Sequence, residues 1–192
     1  MIEITMTRIF SVFALFAVMF LAATAALGLS LDLHHHLDDN GVRGWATIHR
    51  LSGVAAAVSV MFAHCIVITY FVGTSRWCKE VSETYRLDSQ FVRRSNFLKR
   101  RTFPWAVLGM LSVVGVAALG AAADPGAIGV KFSENWVTPH LLGAIAGIGF
   151  ITFTFVREWH NIAANHVVIS EIVAAVKNIR DELGLDAKEP AG

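Results

Sequence analysis

His49 and His140 each stand about one helical turn inside the start of a separate apolar segment. An imidazole placed in hydrocarbon is costly, and intramembrane histidines mark ion, proton or ligand chemistry. Two at one depth on parallel helices can share a metal. If they fill both axial positions of a haem iron, no coordination site stays open, which suits electron transfer rather than oxygen chemistry. Gly53 follows His49 by one turn, about 40° away on the helical wheel, and Gly143 and Gly147 follow His140 on nearly its own face. A glycine one turn from an axial histidine leaves room for a flat porphyrin. The same GxxxG spacing also serves plain helix packing. Arg50 is placed either to pair with a haem propionate or to snorkel to headgroups.

Other histidines offer different chemistry. His64 shares the His49 face of its segment, about 22 Å along the axis. It reads as a core histidine bonded to a neighbouring helix, or as a contact for a lower haem or a quinone. A second haem would need a partner near Thr154, and His160 falls on the face opposite His140, so two stacked haems are not expected. His34, His35 and His36, with Asp38 and Asp39, form an outer cluster of a type that can hold zinc or copper. An outer metal centre built from that cluster, His49 and His140 competes with haem. Cys65 and Cys78 have no CxxC or CxxCH company, so covalent haem attachment is not indicated.

The elements that must position these residues are apolar helices. Of 192 residues 55% are hydrophobic and 16% charged, with mean hydropathy +0.55, which excludes an ordinary soluble domain. Stretches 9–31, 45–72, 104–123 and 137–156 each reach the roughly 20 residues a membrane helix needs. The rest is too short for a further domain, so the chain reads as one membrane domain. The apolar run near the N-terminus is long for a signal peptide and reads as a first span. Thirteen of the 16 basic residues fall before span one, in the 74–103 connection or at and beyond the end of span four. That bias predicts both termini and the 74–103 connection in the cytoplasm. Beside a span, such a basic connection fits anionic lipid headgroups rather than nucleic acid. Trp77, Val81, Tyr85 and Val92 predict an amphipathic helix over about 77–100, lying near the membrane surface. Val168, Ile172, Ala175, Ile179 and Leu183 predict a cytoplasmic helix over about 160–184 that docks on that connection or on a partner subunit.

Thr47-Ile48-His49-Arg50-Leu51-Ser52-Gly53 resembles the Ser-Ile-x-His-Arg-x-Ser-Gly motif of the cytochrome b membrane anchor of succinate dehydrogenase. His49, Arg50, Ser52 and Gly53 fall on matching positions, and Ala46 stands where the family has its first serine. The resemblance spans about eight residues and implies a b-type haem subunit, with Arg50 at a quinone site. More loosely, His-Arg-x-x-Gly followed by His64 resembles helices of ferric-reductase-type haem proteins.

The expected architecture is an all-α integral membrane bundle of four helices with cytoplasmic amphipathic helices, in which spans two and four are adjacent and parallel. The expected setting is a bacterial inner membrane. The expected function is electron transfer through a bis-histidine haem b near the outer face, to or from a quinone or a partner subunit docked on the cytoplasmic side. No nucleophile, acid–base pair or phosphate loop points to a self-contained enzyme. Two other readings stay open: a non-catalytic structural or assembly subunit, and an outer-face metal-binding membrane protein.

Overall fold

The computed structural model describes residues 2–30 and 39–185. Its elements are five helices, with no strand among the described residues: α1 (Ile2–Ser30), α2 (Asp39–Thr84), α3 (Gln90–Ala123), α4 (Pro125–Ile128) and α5 (Val130–Glu182). All but α4 are long and apolar enough to cross a membrane. In hydrocarbon the backbone must satisfy its own polar groups, and a helix does so within one segment. The outside of the bundle is apolar, with Val12, Leu15, Met19, Leu51, Val54, Val58, Leu111 and Leu142 exposed. That pattern suits lipid and not water.

Short connections place each long helix beside its neighbour in the chain, and α1 closes the ring against α5. α1 and α3 share no contact, and α2 and α5 meet only lightly. The expected side-by-side packing of spans two and four is therefore corrected: they lie on the diagonal of a square and face one another across its centre. The core is built by Phe10, Ala14 and Ala17 of α1, Val60, Ala63, Val67 and Phe71 of α2, Val113 of α3, and Ile151, Phe155 and Ile162 of α5. Phe10 meets Phe155 edge to face, with ring centroids 5.9 Å apart.

The 74–103 connection also departs from expectation. It is no separate helix on the membrane surface; α2 and α3 run straight through it as an antiparallel hairpin. Arg86, at φ 52°, turns the chain in the left-handed region. The Leu87 N–H donates to the Ser82 carbonyl and the Arg86 N–H to that of Glu83, the Schellman pattern of a helix stop. Asp88, one residue before the N-cap Ser89, then accepts from the Gln90 N–H at 2.8 Å. Of the apolar stripe predicted to face lipid, Val81 packs toward α5, while Trp77 stays exposed. Val81, Leu87 and Phe91 surround Cys78, Val168 and Ile172, and Arg94 pairs with Glu171. The C-terminal stretch thus continues span four without a break and docks on the chain's own hairpin. Arg86→Gly is expected to raise stability by about 1 kcal/mol, because glycine carries no Cβ penalty at this φ, while Arg86→Val lowers it. Chemical unfolding in detergent reads both.

Candidate functional site

The histidine pair sits at the end of the bundle away from the hairpin. α2 carries His49 and α5 carries His140, and their ring centroids lie 6.3 Å apart with planes at 70°. A metal–imidazole bond is about 2 Å and the ring centre lies about 1 Å further on, so two imidazoles on one ion have centroids about 6 Å apart. The observed spacing matches. His49 Nδ1 lies 3.0 Å from the Thr24 carbonyl of α1. A carbonyl only accepts, so Nδ1 holds the proton and a neutral ring keeps Nε2 as its free lone pair. A ligating histidine is oriented in the same way, through its other nitrogen. His140 Nδ1 is buried and has no hydrogen-bond partner.

Each ring lies against a glycine of a flanking helix. A Cβ at Gly28 of α1 would stand 2.8 Å from His49 Cε1, and one at Gly120 of α3 would stand 3.0 Å from His140 Cε1. The glycines proposed from sequence do other work. Gly143 and Gly147 receive Leu119 and Val116 of α3, where a Cβ would meet those side chains at 2.5 and 2.7 Å. They close the α3–α5 contact, the packing use of GxxxG. A Cβ added at Gly53 would meet the Thr24 methyl at 3.7 Å, an ordinary contact.

Arg50 forms an ion pair with Asp124. Its Nη1 donates to both Asp124 oxygens, at 2.8 and 3.1 Å, tying α2 to the end of α3. Asp124 also accepts from the Gly126 N–H and so starts α4. The Arg50 guanidinium holds the Asp124 carboxyl below its usual range. The unfolded chain therefore binds this proton at higher pH than the folded one does. The stabilisation is complete above the ordinary aspartate value, about 3.9, and is lost as pH falls through the lowered folded value. Asp124→Asn is expected to flatten the acid-side decline in unfolding midpoint.

A second polar centre lies deeper. His64 is fully buried, and its Nδ1 is 2.8 Å from Oε1 of Glu158, which is also fully buried. Phe155 covers the imidazole at 4.7 Å between ring centroids. His64 Nε2 and Glu158 Oε2 have no partner. A Cβ at Gly109 would stand 2.2 Å from Nε2. The bond to a neighbouring helix was expected; Glu158 as its other end was not. The missed signal is a polar stripe on α5: Thr154, Glu158, Asn161 and Asn165, spaced four, three and four apart and all buried. In a span this spacing puts polar groups on one inward face.

The remaining histidines stand apart. His34, His35 and His36 lie outside the described residues. His160 is exposed beside Trp159, 5.1 Å between ring centroids, and His166 bonds Ser170 on its own helix. Cys65 is exposed and Cys78 buried in the hairpin, and both are free. Among the described residues no three metal-ligating side chains gather at one point. No family model, no curated protein and no solved structure matches this chain.

Proposed function

We propose that this integral membrane protein is a b-type cytochrome subunit, with haem held between His49 and His140 near the outer face. The observation that carries the reading is the 6.3 Å spacing of two imidazoles from helices that face each other across the bundle. Bundle cofactor sites are built from side chains on facing helices in this way. The residues fit the group: the Thr24 carbonyl sets the His49 tautomer, His140 keeps a buried unpartnered nitrogen, and Gly28 and Gly120 bring bare backbone to the rings. When bound, haem b supplies one-electron exchange. The chain's own part would be to hold the group between His49 and His140, to orient His49 through Thr24, and to fix the α2 end through Arg50 and Asp124. The basic bias supports an orientation with the hairpin and both termini in the cytoplasm of a bacterial inner membrane. Electrons would pass to or from a quinone or a partner subunit docked on the cytoplasmic hairpin.

The visible spectrum of the purified protein tests this. A sharp reduced-state α band is expected for bis-histidine haem b. Fully folded protein without it, expressed with haem in excess, overturns the reading. Copper or zinc found by elemental analysis in place of haem would favour a bare metal ion on the same two rings.

A further inference from the structure

The His64–Glu158 pair has no part in the haem reading, yet it is a costly thing to bury. A histidine and a carboxylate out of water are stable only when paired and well bonded, and a purely apolar replacement of the same volume is often no less stable. Here each partner keeps a second polar atom, His64 Nε2 and Glu158 Oε2, unsatisfied. Intramembrane Glu and His of this kind mark proton relays.

The surroundings lead in one direction. From Glu158 the polar face of α5 continues to Asn161, whose Nδ2 is also buried and unpartnered, and then to Asn165. Asn165 Nδ2 donates to the Tyr70 hydroxyl at 3.2 Å and to Thr74 at 3.1 Å, and its Oδ1 accepts from Ser95 at 3.0 Å. Ser75 lies 3.4 Å from Ser95, and Ser82 stands two turns further along α2, buried with an unpartnered hydroxyl. Ser82 lines a groove of about 750 Å³ that opens on the hairpin. Toward the other end of the bundle the core offers Val60, Ala56 and Val113 instead.

We infer that His64 and Glu158 form an exchangeable proton-binding site, reached from the hairpin end of the bundle along the Asn161, Asn165, Ser95 and Ser75 face. With one proton, on His64 Nδ1 and donated to Glu158 Oε1, the pair carries the single negative charge of the carboxylate. A second proton arriving from the polar face adds to an unpartnered atom, His64 Nε2 or Glu158 Oε2, and makes the pair neutral; its departure by that face restores the charge. Few other charges face the pair. α5 supplies Glu158 itself and Phe155, and α3 supplies the bare Gly109. α1 brings Phe10, Ala14 and Ala17 to this core, with Met6, Val18 and Leu21 packed against it, and Arg157 turns away, its Cζ 5.7 Å from the centre of the Trp105 ring.

The test is ¹⁵N NMR of histidine-labelled full-length protein in nanodiscs, with His64→Gln identifying the His64 signals. In the wild type the buried ring is expected to change protonation reversibly with bulk pH, and the change is expected to move or vanish in Glu158→Gln. Asn165→Leu should slow exchange of the His64 ring proton with D₂O at least tenfold. If that variant does not fold, Ser95→Ala serves the same purpose. A His64 signal constant over the whole pH range in which the wild type stays folded would overturn the site, leaving a static structural bond. Exchange as fast in the track variants as in the wild type would overturn the route. Neither result depends on haem, so the electron-transfer reading stands or falls separately.

Discussion

Replacing either His49 or His140 by alanine is expected to erase the reduced α band, while His160→Ala leaves it unchanged. Both rings come from single positions on α2 and α5, and no third metal-ligating side chain gathers with them among the described residues, so nothing there would replace either ring as a haem ligand. The two losses should not add, since losing either ring would already break the proposed site. Free imidazole added to His49→Gly should restore part of the band by refilling the vacated position. Thr24 is a weaker lever, because it acts through its carbonyl, which every residue possesses. A band that persists in both alanine variants would place the haem elsewhere. Loss in His160→Ala alone would point to the opposite face of α5.

Gly109→Ala is expected to be the most disruptive single methyl in the chain. Its Cβ would fall 2.2 Å from His64 Nε2, well inside contact distance. The imidazole has no room to swing, since Glu158 holds one edge and Phe155 covers the ring. Overpacking of this kind costs about 1–3 kcal/mol. Gly115→Ala, on the same helix, meets nothing within 4 Å and should be neutral or gain up to about 1 kcal/mol of helix propensity. The sharper check is a double-mutant cycle. In a His64→Ala background the methyl at position 109 should cost little, because the ring it strikes is gone. Equal cost in both backgrounds would mean that the α2–α3 contact at this level is not set by His64. Unfolding in a graded series of SDS and mild detergent measures all four proteins.

Hydropathy alone made the four spans legible, because a run of apolar residues long enough to cross lipid has few other uses. The depth match of His49 and His140 was legible too, since it needs only the distance of each from a span start. The diagonal placement was not. It depends on α1 closing against α5, and no pattern within one helix records that contact. For the same reason the glycines nearest the rings, Gly28, Gly109 and Gly120, went unread: each lies on a different helix from its histidine. Glu158 escaped because it stands just past the expected end of span four at 156, where a charge passes for an interfacial one. The hairpin was misread because an i, i+4 apolar stripe fits a membrane surface and a neighbouring helix equally well. Its turn gave no warning either, since Arg86 occupies a position where glycine is the usual sign.

α2 runs 46 residues from Asp39 to Thr84 with no proline. At 1.5 Å per residue that is a beam of about 69 Å, more than twice the hydrocarbon thickness, with no joint along it. His49 stands near the end of this helix that lies away from the hairpin. His140 is mounted differently, since Pro139 stands immediately before it inside α5 and lets the helix flex there. One ring thus stands on an uninterrupted helix and its mate one residue past a proline, so the two mounts differ in how firmly the backbone fixes them.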